Sequence, residues 1–255
     1  MEEVTNQTQP PASRFGVVVV SIGLVWFAII EAMLRWQQAG VWTALGFALL
    51  IAVISTRWRT RERSRWSLPP AVLLICLSSL GAVLFTSNNL AQHLVAGLSA
   101  ISLISFLDQA QHEMADELRG RLASFTLAVA LWFGWMTLLS AGTFFPLDWQ
   151  WVVAGGAAMT GVVGLVLWLE SGIALRDFIR WLPAVVWLGG EVMLVTWWLP
   201  TSVFVGSVVA VTVLTLFLQA ARHIFQHRWE PGRGRRYVVV GTSIITIVLA
   251  TARWV

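Results

Sequence analysis

The chain has 255 residues and a formal net charge of +4; 57% of its residues are hydrophobic and 12% are charged. An ordinary soluble domain has about 25% charged residues, so this composition excludes a soluble globular protein and predicts a polytopic membrane protein. The excess of basic residues does not indicate nucleic-acid binding, because membrane orientation and anionic lipid head groups explain it.

In chain order, residues 1–14 come first; they are polar and contain Pro10 and Pro11, which predicts a disordered cytoplasmic tail. Residues 15–255 then form a single transmembrane helical domain. Its apolar runs are about 16–21 residues long, the length of a helix that crosses a hydrocarbon core of about 30 Å. The fold class is therefore an all-α integral membrane protein, a compact bundle of about nine transmembrane helices built from consecutive hairpins. The predicted spans are 15–35, 41–56, 67–87, 90–107, 122–142, 150–169, 181–199, 202–219 and 237–254.

The arginines predict the orientation of these spans. Of the 17 basic residues, all of them arginine, 14 lie in the connectors 57–65, 108–121, 170–180 and 219–236, and Arg14 is on the same side. Cytoplasmic loops are rich in arginine and lysine. The prediction is a multi-pass protein of the plasma (inner) membrane with a cytoplasmic N-terminus and a C-terminus on the opposite side.

Tryptophan is unusually frequent, with 16 residues. Twelve of them lie at or near predicted span ends, where amphipathic indoles prefer the head-group region. The other four lie deeper and need a packing role or an acceptor for the indole N–H: Trp26, Trp132, Trp135 and Trp187.

Every second span begins with an arginine followed by a large hydrophobic or aromatic residue. The five pairs, which start at Arg14, Arg65, Arg121, Arg180 and Arg236, are about 51–59 residues apart, as expected for repeated helical hairpins. Orientation and an aromatic belt would produce the same pairing without duplication, so both origins stay open.

Two acidic residues and one histidine lie inside the spans. Glu191 is near the middle of the seventh span, directly after glycines 189–190. A charge there costs at least a few kcal/mol, so Glu191 is expected to be protonated, paired or next to water, and a hydrogen bond to an adjacent helix is the structural expectation. Glu31 lies one helical turn before Arg35, which suggests an ion pair between them. His93 is expected to bond to a neighbouring helix.

A second candidate cluster lies in the cytoplasmic connectors. Asp108, His112 and Asp116 share one helical face, and His223 and His227 are also one turn apart. Such spacing can bind a transition metal, but flanking arginines oppose a cation, and a solvated helix face is the competing interpretation. We predict no metal and no cofactor.

The sixth span carries small residues, among them Ala157, Gly161 and Gly164. Small residues let a neighbouring helix approach closely, which predicts a helix-packing surface and a central position in the bundle. The only cysteine, Cys76, lies in an apolar run, which excludes an intramolecular disulfide.

Motifs for common catalytic sites are absent: the sequence has no phosphate-binding loop, no GxSxG and no HExxH. The first functional hypothesis is a non-catalytic membrane component, such as a scaffold, sensor or subunit of a larger membrane assembly. The alternatives are a small proton- or cation-coupled transporter that uses Glu191, and a membrane-embedded enzyme that acts on a lipid or isoprenoid at the cytoplasmic face. The expected partners are a bilayer with anionic head groups and a protein partner or second copy within the membrane.

Overall fold

The computed structural model describes residues 12–57, 64–111, 116–145, 147–173, 175–226 and 231–252. Most of the predicted tail, residues 1–11, lies outside this part of the chain. The described residues form nine α-helices: α1 (Ala12–Arg35), α2 (Gln37–Arg57), α3 (Ser64–Phe85), α4 (Asn89–Gln111), α5 (Asp116–Phe144), α6 (Trp149–Glu170), α7 (Leu175–Trp198), α8 (Val203–Phe225) and α9 (Pro231–Thr251). The prediction of an all-helical membrane bundle is confirmed.

Eight of the nine helices are long and apolar enough to cross a membrane. The exception is α2, in which the apolar segment Gly40–Ser55 is shorter. The whole of α2 has 21 residues, and at 1.5 Å per residue it is about 30 Å long. Only Trp36 separates α1 from α2, and the Gly40 N–H donates to the Trp36 carbonyl at 3.2 Å.

The helix contacts repeat in groups of four. In the first group each helix packs on the next, and α1 also packs on α4; in the second group, α5 to α8 repeat this pattern, with α5 on α8. Contacts of α3 with α5 and α6, and of α4 with α5, join the two groups. The ninth helix packs on α8. The unit that recurs in the packing is thus four helices, whereas the sequence suggested hairpins of two.

A hydrogen bond of the same kind joins the first and fourth helices of each group. Trp26 of α1 donates its indole N–H to Ser99 Oγ of α4 at 3.2 Å, and Trp132 of α5 donates to Ser207 Oγ of α8 at 3.1 Å. Each serine hydroxyl donates in turn to a carbonyl three residues earlier in its own helix. Buried polar groups need such partners because the bilayer core offers no water.

The third helices of the two groups also begin with related sequences. Residues 65–72 read Arg-Trp-Ser-Leu-Pro-Pro-Ala-Val, and residues 180–185 read Arg-Trp-Leu-Pro-Ala-Val. The prolines lie inside α3 and α7 rather than at their starts, because both helices begin earlier than the predicted spans. A transmembrane helix accommodates such residues when neighbouring helices and side chains satisfy the freed carbonyls.

A left-handed glycine ends α6. Gly172 has φ = 71°, a conformation that glycine adopts without a Cβ penalty. Its N–H donates to the Leu169 carbonyl, and the Ile173 N–H donates to the Trp168 carbonyl, which is the Schellman pattern. The turn places the buried Trp168 ring against Phe178 of α7 and Phe225 of α8.

Candidate functional site

Glycines on both helices bring α6 and α7 into close contact. A Cβ built on Gly189 of α7 would lie 2.5 Å from Thr160 Oγ1 and 2.6 Å from Thr160 Cβ of α6. A Cβ on Gly156 would lie 2.7 Å from the Met193 methyl group. Any residue larger than glycine would clash at these two positions, so the glycines allow the two helices to approach closely. Gly189, which comes just before Gly190 and Glu191, thus packs α7 against α6.

The predicted packing surface of α6 contributes to the same interface. A Cβ on Gly161 would lie 3.0 Å from Val186, and one on Gly164 would lie 3.1 Å from Val185. Ala157 Cβ would lie 3.7 Å from a Cβ built on Gly190. These three residues therefore face α7, and α6 itself also contacts α3, α5 and α8.

The opposite side of α7 is exposed along the helix. Val185, Gly189 and Met193 are buried towards the bundle, whereas exposed residues recur at intervals of three or four. We call the exposed set the α7 stripe: Ala184, Trp187, Glu191, Val195 and Trp198. Trp187 is 70% exposed and Trp198 is 73% exposed.

Glu191 lies on the α7 stripe and is bonded within its own helix. Its Oε1 accepts a hydrogen bond from the Trp187 indole N–H at 2.8 Å. The expectation of a bond to an adjacent helix was wrong, because the carboxyl group points away from α6 and α8. Its position in the sequence was recognisable, but the direction in which it faces was not.

The depth of Glu191 makes this exposure unusual. It lies seven residues before Trp198, the last residue of α7, which corresponds to about 10 Å along the axis. Its hydrogen-bond donor, Trp187, lies one turn further from that end of the helix. A polar group at this depth is surrounded by lipid hydrocarbon. Placing it there costs a few kcal/mol of free energy unless another protein group forms hydrogen bonds with it.

The other deep tryptophans have partners inside the bundle, as the sequence predicted. Besides the Trp26 and Trp132 bonds, Trp135 of α5 donates to Thr196 Oγ1 of α7 at 3.4 Å. Trp26 and Trp135 are fully buried. Trp187 differs from them because it is exposed and its acceptor is a carboxyl group of the same helix.

Glu31 and His93 contact each other rather than separate partners. His93 Nδ1 lies 2.6 Å from Glu31 Oε1, which joins α4 to α1. The histidine thus bonds to a neighbouring helix as predicted. The suggested Glu31–Arg35 pair is corrected, because the partner of Glu31 in the described chain is His93. Glu31 can reach α4 because α1 and α4 close the first four-helix group.

Only part of the candidate cluster that was predicted in the cytoplasmic connectors is in the described chain. His112 and His227 lie outside it, and Asp116 is described only as the first residue of α5. Asp108 is near the end of α4, whereas His223 on α8 stacks on Tyr237 of α9 with ring centroids 6.1 Å apart. Both α4 and α8 pack on α5. Among the described residues, no group of three or more histidine, cysteine or acidic residues could hold a metal ion.

Sequence reasoning missed the hydroxyl acceptors and one buried arginine. Ser99, Ser207 and Thr196 are buried and accept the indole bonds. Arg222, predicted to lie in a connector, is only 7% exposed, and its guanidinium lies 3.5 Å from Ser124 Oγ. The sequence clue to these bonds is a serine or threonine within an apolar run, because its hydroxyl can accept the indole N–H of a deep tryptophan.

No protein-family model matches this chain, and comparison with curated proteins and with solved structures finds no match either.

Proposed function

We propose that this chain is a non-catalytic subunit of a larger membrane assembly and that the α7 stripe is its docking surface. The observation that carries the proposal is the exposed carboxyl group of Glu191, about 10 Å inside the end of α7. Lipid tails offer it no hydrogen bond. A partner helix on the stripe would cover both this carboxyl group and the exposed Trp187 ring.

The close packing of α7 on its neighbours supports this role. The inner side of α7 is fixed on α6 by Gly156 and Gly189, and Trp135 bonds to Thr196 of α7. A surface held in this way is already organised for binding, so a partner pays less conformational entropy when it docks. In the same proposal, the arginine-rich connectors face anionic head groups.

The transport alternative has less support, because it requires Glu191 to face a wet pathway. A cavity of about 100 Å³ between α5, α7 and α8 is lined by Thr143, Thr196 and Thr201, among others, and Glu191 does not line it. Glu191 instead faces away from the bundle. The lipid-enzyme alternative needs Asp108, His223 and the other residues of the candidate cluster to lie close together. Asp108 is on α4 and His223 is on α8. Both helices pack on α5, which is the support that this alternative has.

Photo-crosslinking in native membranes tests the proposal. A photoreactive amino acid at Val195, one turn from Glu191 on the stripe, is expected to give a protein adduct of discrete mass that mass spectrometry identifies. Leu49 of α2 is the matched control, since Val195 and Leu49 are 59% and 58% exposed. A discrete adduct at Val195 and none at Leu49 supports the docking surface. Lipid adducts alone at both positions would refute it.

A further inference from the structure

The chemistry of the α7 stripe defines the kind of partner that it can bind. This inference rests on the proposed function and adds the identity of the group opposite Glu191. The other stripe residues are Ala184, Val195 and the two tryptophans. Of these, Trp187 supplies one N–H to Oε1, and the aliphatic side chains supply none. The remaining hydrogen-bonding capacity of the carboxyl group therefore has to be met from outside this helix.

The part of a second copy that the structure describes supplies no cation at this depth. The sequence contains no lysine. In helices α1 to α9, the arginines whose side chains the structure describes lie within the first or last six residues of their helix: Arg35, Arg121, Arg176, Arg180, Arg222, Arg235 and Arg236. Of the two histidines that the structure describes, His93 already contacts Glu31, and His223 lies in the last turn of α8 and stacks on Tyr237.

A symmetric dimer through the stripe would also bring like groups together. In a two-fold interface each residue meets the same surface of its partner, so Glu191 would lie near a second Glu191. Two carboxyl groups offer each other no opposite charge, and as carboxylates they repel each other in a low-dielectric region. A basic side chain has the opposite effect, because attraction between unlike charges is strongest where water is absent.

We propose that the α7 stripe binds a transmembrane helix of a different membrane protein, one that carries a lysine or arginine within the hydrocarbon region, opposite Glu191. Small or flat apolar residues around that basic residue would accommodate the exposed Trp187 ring. A basic residue in the middle of a single span also costs free energy when it faces lipid. Binding would therefore remove two costs at once, that of the basic side chain in the partner and that of Glu191 in this chain.

Model peptides in proteoliposomes test this inference. The purified protein carries a fluorescence donor, and polyleucine transmembrane peptides carry an acceptor. One peptide has a single central lysine, one has glutamine at that position, and one has leucine only. Energy transfer measures binding. We expect the lysine peptide to bind about 5–30-fold more tightly than the leucine peptide, the size of one interhelical polar contact in model peptides.

Two acid-to-amide variants provide a matched comparison. Glu191→Gln should lose the preference for lysine, whereas Glu31→Gln should keep it, because Glu31 belongs to the pair with His93. Both variants should retain the elution profile of the wild-type protein. Moving the lysine along the peptide by one and two turns should give the tightest binding at the depth of Glu191.

The outcomes separate this inference from the proposed function. Lysine-dependent binding that disappears in Glu191→Gln supports both. Equal binding of all three peptides, or a lysine preference that survives in Glu191→Gln, overturns the inference. A self-adduct from Val195 without peptide binding also overturns it and leaves the docking surface in place. Failure of the crosslink and of peptide binding overturns both.

Discussion

The two adjacent glycines of α7 offer a sharp test of how closely it packs on α6. Gly189→Ala places a methyl group 2.5 Å from Thr160 Oγ1 and 2.6 Å from Thr160 Cβ, whereas Gly190→Ala places one 3.6 Å from Val153 and 3.7 Å from Ala157. Ordinary carbon contacts are about 3.5–4.0 Å. The first variant therefore requires the helices to separate by about 1 Å, and the second requires no movement.

Thr160 cannot easily move aside. It is fully buried, and its hydroxyl donates to the Gly156 carbonyl at 2.8 Å, so a new rotamer would break a bond inside the bundle. Overpacking of this kind costs about 1–3 kcal/mol. Both variants gain the higher helix propensity of alanine, about 1 kcal/mol. The difference between them isolates the steric cost, and we expect Gly189→Ala to be less stable than Gly190→Ala by about 1–3 kcal/mol.

Unfolding of the purified protein in mixed micelles by added dodecyl sulfate measures this difference, with helical circular dichroism as the signal. Gly190→Ala should unfold at a detergent fraction slightly above that of the wild-type protein, because it gains helix propensity without a clash, and Gly189→Ala should unfold at a lower fraction than Gly190→Ala. Equal midpoints for the two alanine variants, or a lower midpoint for Gly190→Ala, would refute the assigned contact between Gly189 and Thr160.

Three further predictions concern other parts of the molecule. Alkaline phosphatase fused after Val255 should be active and fused after Arg65 inactive; an inactive Val255 fusion would mean that α2 does not cross the membrane or that the orientation is reversed. Trp132→Phe and Ser207→Ala should each lower unfolding stability by about 1 kcal/mol, and the double variant should cost less than their sum, because one hydrogen bond links them; additive losses would contradict that bond. Protein purified without chelator should hold no stoichiometric zinc or iron, and one equivalent that disappears in the His223→Ala/His227→Ala variant would restore the enzyme alternative.

The helix positions followed from the sequence because the length of an apolar run is set by bilayer thickness. Boundaries differed where helices extend beyond the apolar run: α7 begins at Leu175, six residues before the predicted start of its span. The peptide groups of 175–180 continue the helix into the head-group region, where apolar side chains are no longer required. Apolarity therefore predicts the segment in lipid rather than the whole helix.

The direction in which each residue faces did not follow from the sequence. The seventh span is apolar on both its bundle side and its exposed side, since lipid and protein interior are similarly hydrophobic. Periodicity therefore cannot distinguish Met193, which is buried, from Val195, which is exposed. Glu191 was recognisable from its charge alone, but only the packing of α7 on α6 determines that it faces outwards. The contact of Glu31 with His93, 62 residues apart, likewise depends on how helices are arranged.

The four-helix grouping has a consequence for biogenesis. The first group closes entirely within residues 12–111, including the bond from Trp26 to Ser99. At a synthesis rate of about 5–20 residues per second, the ribosome needs several seconds to make the next four helices. During that interval the faces of α3 and α4 that later receive α5 and α6 have lipid or the insertion machinery as their neighbours. The second group can then assemble on a finished surface, and α9, which packs on α8, joins last.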